Sequence, residues 1–74
     1  MRKTYNERIR ELREDHDYTQ AYIAKILHCS IYTYQRYEYG TQLLPIDKLI
    51  LLTELYHVSA DYILGLTNHT APSN

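Results

Sequence analysis

Apolar residues return every three or four positions through most of this chain, the period of an amphipathic helix. Thr4-Tyr5-Asn6-Glu7 has the form of a capping box, and Tyr5, Ile9 and Leu12 follow at helical spacing, predicting a first helix over 5–15. Thr19 is placed to cap a second helix over 20–27, with Ile23, Ala24 and Leu27 as its apolar face. The small Ala24 lets a neighbouring helix approach closely. Pro45 favours a first helical turn and opens a helix over 45–57, whose inner stripe is Leu49, Leu52, Thr53 and Tyr56. Ile46, Ile50, Leu51 and Leu55 make that helix apolar nearly all round, a pattern of burial on more than one side. Ser59 caps a last short helix over 60–64, with Asp61 in its first turn and Gly65 ending it.

The stretch SIYTYQRYEYG, residues 30–40, resists this simple reading. Four tyrosines in eleven residues favour a strand by propensity. As a strand, however, Tyr32 and Tyr34 would face one side and Tyr37 and Tyr39 the other, with no clean alternation of apolar and polar positions. As a helix, Tyr34 and Tyr37 fall together at i, i+3, while Tyr32, Gln35, Arg36 and Tyr39 fall on a different, polar-aromatic face. Ser30 is a good N-cap and Gly40 a good C-terminal stop. The pattern predicts a helix over 31–39, packed on one side and offered outward on the other.

The expected architecture is thus all-α: a compact bundle of about five short helices over 1–67, with the middle pair over 20–39 and a polar, flexible tail over 68–74. Seventy-four residues make one small domain that buries roughly 60% of the surface its unfolded chain exposes. There is no room for a deep enzyme cleft, no long apolar run to span a membrane and no apolar block of a signal peptide at the N-terminus, so a cytoplasmic location is expected. The lone Cys29 has no internal disulfide partner, which suits a reducing compartment.

Net charge changes the picture only slightly. At −1 it lacks the basic footprint usual for nucleic-acid binding. Arg2, Lys3, Arg8, Arg10 and Arg13 crowd the N-terminal end, but Glu7, Glu11, Glu14 and Asp15 answer them. Between His28 and Leu44 only Arg36 and Glu38 are charged. The four histidines are scattered, so no metal site is expected, and no cofactor. Cys29 reads as turn filler. Asn68-His69-Thr70 matches a glycosylation sequon, to which no role is assigned. Tyr5, Tyr34, Tyr37 and Tyr56 read as core, whereas Tyr32 and Tyr39 are open to contact with a partner.

Residues 20–39 form two short helices separated by a turn of about three residues, the layout of a DNA-binding helix-turn-helix. A nine-residue helix is about 14 Å long and fits a major groove about 12 Å wide. From Leu12 to Thr67 the chain resembles the phage repressor/Cro-like, or Xre-like, helix-turn-helix proteins. LREDHDYTQAYIAKIL is similar to the family's first helix, loop and second helix, SIYTYQRYEYG to its recognition helix, and LPIDKLILLTELYHVSADYILGLT to its closing helices. His28 departs from the glycine usual in the turn; histidine is among the side chains that tolerate a positive φ.

The resemblance implies a sequence-specific regulator of transcription, a repressor, that reads double-stranded DNA with the helix over 31–39. It implies base contacts from Ile31, Tyr32 and Arg36, and backbone contacts from Thr19, Gln20, Ser30, Thr33, Gln35 and Tyr39. Arginine is the commonest bidentate reader of guanine. It also implies a structural salt bridge between Arg13 and Glu38. The surplus apolar residues suggest a homodimer contact through Leu44, Ile50, Leu51, Leu55 and Leu66 on a near-palindromic operator. The alternative is a protein-interaction module of the same fold, antitoxin-like, with weak or no DNA binding. No nucleophile–base pair, phosphate loop or metal cluster points to an enzyme.

Overall fold

The computed structural model describes residues 3–70, so Arg2 and the end of the tail, 71–74, lie outside the described residues. Its helices are α1 (Tyr5–Asp15), α2 (Gln20–Ile26), α3 (Ile31–Tyr39), α4 (Ile46–Tyr56) and α5 (Ala60–Ile63), with no strand among the described residues. The tyrosine-rich segment is therefore helical. The starts are chemical. Glu7 accepts the Thr4 N–H at 3.1 Å, Thr19 Oγ1 accepts from Tyr22 N–H at 3.0 Å, Ser30 Oγ from Thr33 N–H at 3.1 Å and Ser59 Oγ from Tyr62 N–H at 3.0 Å. Each bond satisfies a backbone group that a helix terminus leaves orphaned.

All five helices end by one device. A residue in the left-handed region follows each: Asp17, His28, Gly40, His57 and Gly65, with φ between 54° and 80°. The next N–H then closes onto a carbonyl five residues back, in the pairs Tyr18–Arg13, Cys29–Ala24, Thr41–Arg36, Val58–Thr53 and Leu66–Asp61. This reversal satisfies terminal carbonyls and turns the chain sharply. Glycine takes the conformation freely; the aspartate and the two histidines take it under strain.

The core gathers Ile9 and Leu12 of α1, Ile23 and Ala24 of α2, Tyr34 and Tyr37 of α3, Leu52 and Tyr56 of α4, Ile63 of α5, and Leu27 and Val58. Leu49 and Thr53, expected on the inner stripe of α4, are only half-buried. Tyr34 is the largest fully buried side chain, and its ring meets Tyr37 edge-on at 6.4 Å. One buried residue was not legible in the sequence. Arg8 lies inside, its guanidinium over the Tyr62 ring at 4.2 Å and its Nη2 donating to Asn68 Oδ1 at 2.8 Å. The start of the polar tail is thereby tied back to α1.

Arg13 and Glu38 form the expected bridge, with Glu38 buried and Arg13 half-buried. Arg13 Nε donates to Glu38 Oε2 at 2.6 Å and Nη2 to Oε1 at 3.1 Å, a two-pronged fork. Nη1 donates to the Tyr18 carbonyl at 3.1 Å. The pair ties α1 to the end of α3 and to the loop before α2. Burial alone would raise the Glu38 carboxyl, but the hydrogen bonds from Arg13 and Gln20 outweigh it and hold it below the ordinary glutamate range. The Tyr34 hydroxyl lies beside the same carboxylate without reaching hydrogen-bond geometry with it, and burial pushes its pKa far up.

Replacing Glu38 by Gln leaves the half-buried Arg13 poorly matched and should cost about 2–3 kcal/mol, toward the low end for a buried pair, read by urea denaturation. Because the folded carboxyl sits below its unfolded value, its contribution is present at neutral pH and lost as pH falls through the acidic range; Glu38→Gln should lack that part of the acid destabilisation. At the helix ends, His57→Gly should stabilise by about 0.5–1 kcal/mol, the relief of left-handed strain less the entropy glycine adds to the unfolded chain. Gly65→Ala should destabilise more than Gly40→Ala, since a Cβ at 65 would sit 2.2 Å from the Lys3 carbonyl oxygen but at 40 would meet only the Asn6 side chain at 3.3 Å. Thermal melts order the three variants.

Candidate nucleic-acid interface

α3 has two unlike sides. Tyr34, Tyr37 and Glu38 face the interior, so burial fixes the helix about its own axis. On the other side Tyr32 is 71% exposed and Tyr39 65% exposed. Arg36 lies one turn beyond Tyr32, exposed and without an ion pair among the described residues. Tyr32, Arg36 and Tyr39 therefore share an outward face that the protein's own chain leaves open. Ile31 is half-buried and packs partly against the core.

The turn between α2 and α3 is tight because His28 is left-handed. Its N–H bonds the Lys25 carbonyl at 3.2 Å while Cys29 N–H bonds that of Ala24 at 3.0 Å. The Lys48 ammonium, reaching from α4, donates to the Leu27 carbonyl, placing a cation at the negative end of α2. Burial pushes the Cys29 thiol up, against a smaller opposing pull from Lys48. That direction fits a filler of this turn rather than a reactive thiol.

A relay of side chains joins the interior bridge to the outer face. Gln20 Nε2 donates to Glu38 Oε1 at 3.1 Å, and Gln20 Oε1 accepts from Gln35 Nε2 at 3.1 Å. Each carboxamide nitrogen carries two N–H donors, so Gln20 and Gln35 each retain one beyond these bonds. Thr19 and Ser30 accept backbone N–H groups as N-caps, and Ser30 Oγ donates to Thr33 Oγ1 at 3.1 Å. The N-terminal amides of α2 and α3 and these hydroxyls are the groups that suit phosphate oxygens.

Two features escaped the sequence reading. Tyr22 is exposed at the first turn of α2, its ring 4.9 Å from that of Tyr18; the i, i+4 spacing of the two tyrosines was the available signal. The apolar surface also differs in detail from the expected dimer face. Ile50 and Leu66 are exposed, whereas Leu44, Leu51 and Leu55 are half-buried and pack against the core. Leu43, Ile46 and Leu64 are exposed as well. Tyr5, Leu43, Leu44, Leu49 and Leu64 line an apolar groove of about 60 Å³.

No group of three or more metal-binding side chains assembles among the described residues, and none of their helices is long and apolar enough to cross a membrane.

The helix-turn-helix family profile matches residues 9–63. An uncharacterized HTH-type transcriptional regulator of Bacillus subtilis (strain 168), YobD, is 41% identical over 68 residues; the match covers 92% of this chain and 61% of that protein. Among solved structures, a transcriptional regulator from Listeria innocua is similar with a TM-score of 0.83 and 26% identity, covering 93% of this chain and 64% of the other. The P22 c2 repressor in complex with a synthetic operator is similar with a TM-score of 0.76 and 26% identity, covering 84% of this chain and 94% of the other. The chain thus spans a little under two thirds of the length of its Bacillus and Listeria relatives. With its fold, its turn and its matched residues in agreement, the chain belongs to the helix-turn-helix family of phage repressor/Cro-like proteins.

Proposed function

We propose that this protein is a sequence-specific regulator of transcription that binds double-stranded DNA as a homodimer on a near-palindromic operator and represses by occupying it. The observation that carries this reading is the two-sidedness of α3: Tyr34, Tyr37 and Glu38 anchor it while Tyr32, Arg36 and Tyr39 stay open to solvent. The P22 c2 repressor, similar over most of this chain, is a protein solved in complex with a synthetic operator. In our reading Arg36 reads a guanine edge, Tyr32 and the exposed part of Ile31 meet neighbouring base edges or a thymine methyl, and Thr19, Gln20, Ser30, Thr33, Gln35 and Tyr39 address the phosphates.

The relay from Glu38 gives Gln20 a second role, since it orients the amide that would meet a phosphate. In our reading the exposed Ile50 and Leu66, joined by the exposed Leu43 and Ile46, supply the dimer contact with Leu44, Leu51 and Leu55 half-buried beside them, which would set two copies of α3 about 34 Å apart. The site binds and makes no bonds, so the protein is read as a non-enzyme. The same exposed apolar residues, with a net charge of −1, also favour a second reading, an antitoxin-like module that holds another protein and binds DNA weakly.

Selection from a random duplex pool, followed by titration of the selected site, separates these readings. Affinity should depend on sequence and fall steeply with salt as phosphate contacts release counterions. Arg36→Ala should weaken the selected site by about 1–3 kcal/mol and relax preference at one base pair, with the melting temperature little changed. Equal affinity for all duplexes, or an Arg36→Ala protein with unaltered preference, rejects this assignment of the reading face. A stable complex with another protein and no duplex shift supports the second reading.

A further inference from the structure

The loop between α3 and α4, residues 40–45, is the joint between the reading helix and the exposed apolar face, and α1 grips it from below. Asn6 Nδ2 donates to the Glu38 carbonyl at 3.3 Å, just before Gly40 reverses the chain. Next to it, the Tyr5 hydroxyl donates to the Gln42 carbonyl at 3.4 Å and accepts from the Leu44 N–H at 3.3 Å. These two groups belong to the peptide units on either side of Leu43. One hydroxyl thus straddles Leu43 and turns its side chain outward, where it is 81% exposed, the most exposed large apolar residue of the described chain. On the other side of the joint, the N–H groups of Thr41 and Gln42 both point at the Arg36 carbonyl, at 3.1 and 3.4 Å. The loop is therefore held to the reading helix and to α1 at once. The Tyr5 ring meanwhile lines the apolar groove with Leu43, Leu44, Leu49 and Leu64.

We propose that Tyr5 and Asn6 are positioning residues that fix the angle between α3 and the dimer contact, and so set which half-site spacing the protein accepts. This rests on the homodimeric DNA-binding reading above. Neither residue touches DNA in that reading. In a two-fold dimer a rotation at the joint is applied twice, once in each subunit, so a loose joint lets the two reading helices meet operators of more than one spacing. A stiff joint restricts them to one. The loop grip is polar and local, so it can be removed without emptying the groove: Tyr5→Phe keeps the ring and deletes only the hydroxyl.

The test uses the full chain, its Tyr5→Phe and Asn6→Ala variants, and duplexes carrying the selected half-sites at the preferred spacing and one base pair longer or shorter. Amide exchange at Leu44 reports the grip directly. In Tyr5→Phe it should quicken by about 2- to 10-fold, the loss of one ordinary hydrogen bond, while core amides keep their rates. Discrimination between spacings should fall by a similar factor of about 2 to 10 in each variant, with base preference within a single half-site unchanged. Faster Leu44 exchange with spacing discrimination intact overturns the proposal, as does unchanged Leu44 exchange. An unsubstituted protein that prefers its half-site sequence yet ignores spacing overturns the dimeric reading and this role together. One that prefers no duplex at all overturns the DNA reading itself.

Discussion

The pairing of half-buried Arg13 with buried Glu38 is the constraint on which the rest of this small protein turns. A 74-residue chain has little apolar surface to spare, and it nevertheless places a carboxylate inside. That is tolerable only because the Arg13 guanidinium meets both carboxylate oxygens and Gln20 adds a further donor. Such a pair contributes less to net stability than to orientation: α1, the loop before α2 and the end of α3 must all arrive together for the bonds to form. The outer face of α3 inherits its direction from that requirement.

The same chemistry connects the interior to the surface. Glu38 holds Gln20, and Gln20 holds Gln35, so groups at the start of α2 and in the middle of α3 are set by a charge several ångströms inside. In the proposed DNA-binding role, a rod offered to a groove gains from having its phosphate-facing groups in register before contact, because ordering them on binding costs affinity. At the far end of α3, Tyr5 and Asn6 hold the backbone where the chain leaves for the apolar face.

Electrostatics of the whole chain play a small part. The net charge is slightly negative, and long-range attraction to a polyanion is correspondingly weak. In the proposed role, local groups carry the interface instead: one exposed arginine, hydroxyls at helix starts, spare amide donors and two exposed tyrosines. Arg8, which looked like part of a basic N-terminal cluster, contributes nothing to that face because it is buried against the Tyr62 ring.

Helix positions were determined by the sequence itself, through local chemistry: Thr19, Ser30 and Ser59 mark starts by satisfying orphan amides, and Gly40 and Gly65 mark ends by taking a left-handed turn. Periodicity likewise separated Tyr34 and Tyr37 from Tyr32 and Arg36, because side chains a turn apart share a face whatever surrounds them. Other features depended on contacts between segments distant in the chain. Asp17 and His57 adopt left-handed conformations that their side chains tolerate but do not demand, so the local sequence does not mark them. Arg8 is buried because Tyr62 and Asn68 come to it from the other end of the chain. Leu51 and Leu55 are half-covered while Leu43 and Ile46 are bare, because an α4 that is apolar nearly all round leaves its orientation to be decided by what packs against it.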